Sequence, residues 1–328
     1  MKRIIKSVII TFLLFLCVLP AKKTFAATAM NMTLGAGHYA NLDLKTNSKV
    51  KWKSTNTAVA TVSREGFVKG KGIGRATVTA TLGSKVYKYS VSVKKGTINN
   101  ELNIATATAG SVIVSTRLDF ANEGKYFKSY SISTTSSVYK RIKGKSFNPS
   151  GKVKLSDLRY IKLLHFNWKH RIQVGELIVN KAIASDIISI FKNLFDYEYE
   201  VQQMKLIDSN GIWKGTGSVS DSYSCSINNT SAFCYRCATG TSDLSNHAYG
   251  RAIDFNPKMN PYCYKKDGKW TCSRATESKY VHINRNVAST IKGVITRKDY
   301  AYRLFVNRGF EWGGDWTSEK DYQHFQKK

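Results

Sequence analysis

Between Met30 and Val93 the polar–apolar pattern consists of short alternating runs broken by glycine. Val50-Lys51-Trp52-Lys53-Ser54 alternates, Ala58 to Val62 follows after a turn, and Gly66 and Gly70 enclose a brief run. Gly74 to Ala80 and Tyr87 to Val93 alternate in the same way. Period-2 runs this short, evenly spaced and without a helical period, predict a small all-β sandwich.

From Gly96 to about Gly124 no period dominates, although Ser111 to Phe120 has the makings of a strand; the stretch reads as a linker or as the opening of the next domain. Further on, Leu158 to Phe166, Glu176 to Val179 and Met204 to Ile207 read as strands. Ile183, Ile187, Ile190, Phe191, Leu194 and Phe195 recur at 3–4 spacing, which predicts an amphipathic helix capped by Asn180. Lys298 to Asn307 predicts a second helix that turns Leu304 and Phe305 to the core and stops at Gly309. The fold class read from this pattern is multidomain, an all-β sandwich over 30–95 followed by an α+β domain with an antiparallel sheet over 128–328, with 96–127 between them. Lys140 to Lys145 is a dense basic run, read as a solvated loop or, more sharply, a contact for wall polymer.

The first residues form a third pattern. Lys2, Arg3 and Lys6 precede an apolar run from Val8 to Leu19, Pro20 ends it, and Ala26, Ala27 and Ala29 follow. This is the layout of a secretory signal peptide over residues 1–26, with cleavage after Ala26 or Ala29. The apolar run falls short of the roughly 20 residues that span a bilayer, and Leu16 before Cys17 does not suit a lipoprotein signal. The expectation is therefore a secreted, wall-associated protein with no membrane anchor after cleavage.

Charge sharpens this. Lys and Arg number 51 against 22 Asp and Glu, a formal charge of +29. Cleavage after Ala26 would remove five basic residues and no acidic ones, leaving +24. Such an excess concerns partners rather than fold. For an exported chain it points to anionic cell-wall polymers and away from nucleic acid. Hydrophobic residues at 42% exclude disorder as the default reading. Of the six cysteines, Cys263 and Cys272 flank Asp267-Gly268, a type I′ hairpin signal that sets the two opposite each other, where an oxidising compartment would allow a disulfide. The pairing of Cys225, Cys234 and Cys237 stays open.

Six histidines are available for metal chemistry: 38, 165, 170, 247, 282 and 324. His165, His170 and His282 read as surface or core residues. His247 and Asp254 differ, being seven apart with Gly250 between them to turn the chain and Ala252 to Phe255 alternating as a strand. His324 follows the Trp312-Gly313-Gly314 stretch and completes the His/Asp/His set of a catalytic Zn2+ site, which holds three protein ligands and leaves a position for water. Asp321, three residues earlier, is placed to act as general base and acid beside the metal.

Two resemblances follow from these residues. Trp52, Ser54, Asn56, Val59, Ala60, Val62, Gly66, Val68, Gly70, Gly74, Ala76, Val78 and Ala80 resemble the bacterial immunoglobulin-like domain, group 2, which implies a spacer or an adhesive module. Ser245, His247, Gly250, Ala252, Asp254, Asn256 and Pro257, with Gly309, Phe310, Trp312, Gly313, Gly314, Trp316, Asp321, His324 and Phe325, resemble the zinc D-alanyl-D-alanine carboxypeptidase/L-alanyl-D-glutamate peptidase family, which includes vancomycin-resistance dipeptidases and phage endolysins. The likeness runs upstream through Asn228 to Arg236. It implies that His247, Asp254 and His324 bind zinc, that Asp321 is the acid/base, and that Arg236 holds the scissile carbonyl. Ser245 would contact substrate or shape the turn, and Trp312 is a further candidate for substrate contact.

The implied activity is hydrolysis of peptidoglycan stem peptides. Carboxypeptidase and endopeptidase versions both stay open, the endolysin-like layout slightly favouring the latter. The competing class is a non-catalytic wall-binding or adhesive protein with a decayed peptidase domain. Decay would erase a ligand or Asp321, and all four are present. Gly211 to Ser226 departs from the family, being rich in Ser and Gly with Asp221 as its one acid. If that loop lines the cleft, it bears on substrate choice.

Overall fold

The computed structural model describes residues 30–42, 44, 49–64, 66–272 and 274–328, so the expected signal peptide lies outside the described residues. The N-terminal module has seven strands: β1 (Met30–Gly35), β2 (Tyr39–Asn41), β3 (Lys51–Ser54), β4 (Ala60–Val62), β5 (Phe67–Gly70), β6 (Gly74–Leu82) and β7 (Lys85–Lys94). They form two sheets in the orders β1-β7-β6-β3 and β2-β5-β4, antiparallel except for the β1–β7 pair. Alternation does the sorting: Val68, Val78, Ala80 and Val91 are fully buried between the sheets, while their neighbours face out. Gly66 must be glycine, because its φ is +88° and a Cβ there would lie 2.6 Å from the Trp52 ring.

Residues 96–127 are the opening of the second domain. Leu102, Ile104, Ile113, Leu118, Tyr126 and Phe127 belong to one buried cluster with the following strands. The expected strand over 111–120 is reduced to a bridge from Val112 to Gln173 and a 3-10 turn at Ser115–Arg117. A three-stranded antiparallel sheet follows, ordered β10-β9-β8: β8 (Lys128–Ser131), β9 (Leu158–Phe166) and β10 (Ile172–Asn180). Helix α1 (Ser137–Ile142) takes up part of the basic run read as a loop, and its Arg141 turns inward to pair with buried Glu176 at 2.6 Å. Lys140, Lys143 and Lys145 stay exposed.

Helix α2 (Ala184–Asp196) covers β9 with the apolar stripe read from the spacing; Ile187, Ile190, Phe191 and Leu194 are at most 2% exposed. Fully burying each such side chain contributes about 1.5–3 kcal/mol. Asn180 does not cap this helix. It ends β10, accepts from Ala182 N and donates to Tyr249 O, which ties the strand to the turn below His247. The remaining elements are β11 (Gln203–Met204), α3 (Gly217–Ser226), β12 (Asn229–Thr230), β13 (Ala252–Asp254), β14 (Tyr262–Lys266), β15 (Lys269–Cys272), α4 (Tyr300–Val306), β16 (Glu311–Trp312), β17 (Lys320–Asp321) and β18 (His324–Gln326). Two more antiparallel sheets, β13-β18-β16 and β15-β14-β17, carry the expected site residues. Among the described residues no helix is long and apolar enough to cross a membrane.

The β14–β15 hairpin turns at Asp267 and Gly268, both at positive φ as a type I′ turn requires, and sets Cys263 opposite Cys272. Both sulfurs are free thiols in this structure.

The N-terminal module is not held off as a spacer would be. Phe67 and Lys69 point outward from β5, and both meet the second domain. Phe67 packs on His170 with ring centroids 5.0 Å apart, and Lys69 pairs with Glu198 at 3.2 Å. Tyr39 lies edge-on to Phe166, its hydroxyl donates to Glu198 at 3.0 Å, and its backbone N–H donates to Ser115 Oγ. His170, read as a plain surface or core residue, stands at the centre of this contact.

Candidate metal and catalytic site

The site begins with backbone geometry. Gly250 sits at φ +66°, and a Cβ there would lie 2.7 Å from Asn180 N, so the turn after His247 can press against β10 only as glycine. Ser245 Oγ accepts from His247 N at 3.2 Å, making Ser245, 8% exposed, a turn-shaping residue in this structure. Strand β13 then pairs with β18, and the register sets Asp254 opposite His324. Three side chains distant in sequence thus converge.

Their inner atoms form a near-equilateral triangle. His247 Nε2 lies 3.2 Å from His324 Nδ1 and 3.3 Å from Asp254 Oδ1, and His324 Nδ1 lies 3.4 Å from the same oxygen. Tetrahedral bonds of about 2.0–2.1 Å to zinc imply ligand–ligand edges of roughly 3.3–3.4 Å. The outer nitrogens fix the tautomers. His247 Nδ1 faces Ala232 O at 2.6 Å, and His324 Nε2 faces Gln326 Oε1 at 3.0 Å. Since both of these partners accept, each outer nitrogen carries the proton and each inner nitrogen presents a lone pair. Two lone pairs and a carboxylate oxygen therefore face one another inside the protein, and Asp254 Oδ1 is buried without a hydrogen-bond partner. Such a cluster suits a cation at its centre.

The charges reflect this crowding. Burial disfavours charge on His247, but Asp254 outweighs it and holds the imidazole above its ordinary pKa. Asp254 is itself carried far below the usual carboxylate range by the two histidines, against its own burial. Asp321 behaves oppositely. Burial is the main cause that lifts its carboxyl well above the ordinary value, with Asp254 adding to it and His324 opposing. A carboxyl raised toward neutrality beside a metal-ligand set has the character of a proton carrier. Its Oδ1 is buried and unpartnered.

The Trp-Gly-Gly stretch explains where Asp321 sits. A Cβ on Gly313 would lie 2.5 Å from Asp321 O, and one on Gly314 would lie 2.5 Å from the Trp312 ring. Both glycines let β17 lie close, where Asp321 pairs opposite Tyr262. Trp312, expected as a substrate contact, is instead 1% exposed in the main core and donates Nε1–H to Tyr322 O, so it has no surface to offer a ligand. Trp316 is the aromatic beside the cluster, its ring 5.3 Å from that of His324.

Arg236 is largely buried. Its Nη2 pairs with Asp221 Oδ2 at 2.7 Å, and its Nη1 donates to Cys237 O. The Ser/Gly-rich stretch expected as a loop therefore contains helix α3, which is N-capped by Thr216 Oγ1 and presents Asp221 to Arg236 and Cys225 to Asp254. Asp221, Cys225 and Asp254 also bring donor atoms within 4.8 Å of one another. Arg236 already neutralises Asp221, and burial, with Asp221 and Asp254, drives the Cys225 thiol well above its ordinary pKa. This second group is thus a hydrogen-bonded support for Asp254.

Several supporting residues were not singled out from the sequence. Gln326 has a signal in hindsight: it follows His324 by two on a strand, hence on the same face, and it links the imidazole to Asn246 and Glu311. Cys225, and Gln323 whose Nε2 reaches Cys225 Sγ, have none, since they meet across elements 98 residues apart.

Comparison with known proteins adds the following. Residues 39–93 match the family model of the bacterial Ig-like domain (group 2), and residues 239–327 match that of D-alanyl-D-alanine carboxypeptidase, a span that holds His247, Asp254, Asp321 and His324 but not Arg236. Ice-binding protein 1 of Shewanella frigidimarina (strain NCIMB 400) is 31% identical over 116 residues, 35% of this chain and 12% of that protein's length. Two solved structures are similar at low level. One is a termite-gut GH10 xylanase containing a bacterial Ig-like domain (17% identity, 24% of this chain and 21% of that one, TM-score 0.20). The other is surface layer protein SbsC, domains 4–9 (17% identity, 46% and 21%, TM-score 0.18). The chain thus carries, in the order its motifs indicate, a bacterial Ig-like domain of group 2 and a segment of the D-alanyl-D-alanine carboxypeptidase family.

Proposed function

We propose that this chain is an exported zinc metallopeptidase that hydrolyses peptide bonds in peptidoglycan stem peptides and works in association with the cell wall. The observation that carries the reading is the buried triangle of His247 Nε2, Asp254 Oδ1 and His324 Nδ1, with sides of 3.2–3.4 Å and an unpartnered carboxylate oxygen, beside the raised carboxyl of Asp321. The family match supports the substrate class.

His247, Asp254 and His324 would hold zinc, which when bound supplies Lewis acidity toward a carbonyl and toward water. Asp321 takes the proton of the attacking water through its carboxylate and returns it to the leaving amine. A carboxyl whose pKa is raised serves both transfers better than one at the ordinary value. Arg236, held in place by Asp221, donates from its guanidinium toward the developing oxyanion of the scissile carbonyl. Ala232 O and Gln326 Oε1 keep the two imidazoles oriented, and helix α3 supports Asp254 through Cys225.

The test is mass spectrometry of purified peptidoglycan after digestion with the zinc-loaded protein. Release of D-alanine marks a carboxypeptidase, and new N-terminal D-glutamyl residues mark an endopeptidase. Asp321→Asn should retain zinc while losing about 10²–10⁴-fold in rate. Intact peptidoglycan after exhaustive digestion would leave the wall-binding alternative in its place.

A further inference from the structure

The N-terminal module uses one of its sheets, through Phe67, Lys69 and Tyr39, to contact the second domain. The other sheet, β1-β7-β6-β3, faces away from that contact. Register and alternation decide what it presents. Lys51 and Lys53 stand opposite Thr81 and Thr79, Thr79 stands opposite Lys88, and Arg75 stands opposite Ser92. Lys94 continues the outward row of β7. All five cations are exposed, and among the described residues none of them is in an ion pair. The four strands contain no Asp or Glu. Between the cations run the hydroxyls of Thr77, Thr79, Ser90 and Ser92. The aromatic residues of the same strands, Trp52, Tyr87 and Tyr89, alternate onto the inner face and join the core.

We propose that this outward sheet face is a docking surface for an extended wall polymer of the poly(alditol phosphate) type, one phosphodiester charge per repeat. Side chains on one face of a strand recur about every 6.7 Å and neighbouring strands lie about 4.8 Å apart. Lys51 and Lys53 are thus about 7 Å apart, and Lys53 and Lys88, two strands apart, about 10 Å. That grid meets successive charges of a linear polymer, and the hydroxyl rows between can bond phosphate oxygens or polyol hydroxyls. A single-stranded nucleic acid would need aromatic platforms for its bases, and this face turns its aromatics inward. The charge complementarity is local as well as global, which distinguishes this face from a general excess of lysine. The inference does not depend on the hydrolytic reading, since it concerns the other module.

The test uses the full mature chain and poly(glycerol phosphate) as probe, with affinity measured by calorimetry between 50 and 200 mM salt. The variant Lys51→Gln/Lys53→Gln/Arg75→Gln/Lys88→Gln should bind at least about tenfold more weakly at low salt, and the slope of log affinity against log salt should flatten by about 3. A matched variant, Lys128→Gln/Lys140→Gln/Lys143→Gln/Lys145→Gln, removes the same charge from the second domain and should change affinity less than about twofold. Lys53→Gln and Lys88→Gln alone, each expected to weaken binding measurably, serve if the fourfold variant does not fold. Unchanged binding by the first variant, equal loss in both variants, or equally tight and equally sensitive binding of a single-stranded oligonucleotide of the same charge would each overturn the proposal.

Discussion

The contact between the two modules yields a prediction that can be worked through. His170 lies between Glu198 and Glu200, 3.1 Å from each, with the Phe67 and Phe166 rings against it; Lys69 and the Tyr39 hydroxyl share Glu198, and Lys292 pairs with Glu200. Burial alone would lower the imidazole's pKa, but the two carboxylates outweigh it and pull it up to about 9. Glu198 is correspondingly held down at about 2, against its own burial. A group raised in the folded state contributes stability that is fully present below its unfolded value near 6.5 and is lost as pH climbs through 9. Glu198 contributes in the opposite sense, fully above its unfolded value of 4.5 and lost toward 2, so the cluster is strongest between about pH 4.5 and 6.5.

The distance from 6.5 to about 9 corresponds to about 3 kcal/mol between the protonation states of His170. Glu198 is 27% exposed and shares the same ion pair, so solvent screening brings the usable figure to about 2 kcal/mol. For a chain of this size that is a loss of about 4 °C in the unfolding midpoint between pH 6 and 9.5. The comparison is His170→Asn, chosen because His170 sits at φ +50°, a conformation Asn tolerates. Thermal unfolding followed by near-ultraviolet circular dichroism should show the pH-dependent loss in the wild type and not in the variant. Parallel pH profiles for the two proteins would refute the reasoning, because they would mean that the His170 cluster does not form in solution.

Further predictions concern the site. His324→Ala should lose zinc from stoichiometric to negligible occupancy by metal analysis, and retained stoichiometric zinc would remove His324 from the ligand set. Gln326→Leu should preserve the fold yet lower zinc affinity about 10–100-fold in a competitive chelator titration, because the His324 Nε2 proton loses its acceptor. Gly313→Ala should destabilise by about 1–3 kcal/mol in a urea melt and lower turnover further than stability explains, since its Cβ must displace the Asp321 backbone. Deleting residues 30–94 should destabilise the second domain by uncovering Phe166 and His170, read as a lowered unfolding midpoint; an unchanged midpoint would restore the role of a simple spacer.

Much of the molecule was legible in the chain because its determinants are local. The period-2 runs of β3, β6 and β7, the 3–4 spacing of Ile187 to Phe195 and the Asp267-Gly268 turn depend on backbone geometry and on which side of an element must be dry. His247, Asp254, Asp321 and His324 were recognisable because ligand chemistry restricts residue type. Where local rules met competing partners the reading failed. Trp312 looked like a binding aromatic, but two glycines let its ring sink into the core. Asn180 had the composition of a cap and was used instead to tie β10 to the Tyr249 turn.

What only the tertiary structure decided is which distant groups meet. No spacing rule places Cys225 against Asp254, Arg236 against Asp221, or Gln326 between His324 and Glu311, because each of these meetings is set by the packing of whole elements. The same holds for the two modules. Phe67 and Lys69 obey the alternation of an exposed edge, and their burial against His170 and Glu198 follows from a surface more than a hundred residues away. Sequence set the chemistry each residue could offer, and tertiary packing, by bringing charges and lone pairs within hydrogen-bonding distance, set which of it is used.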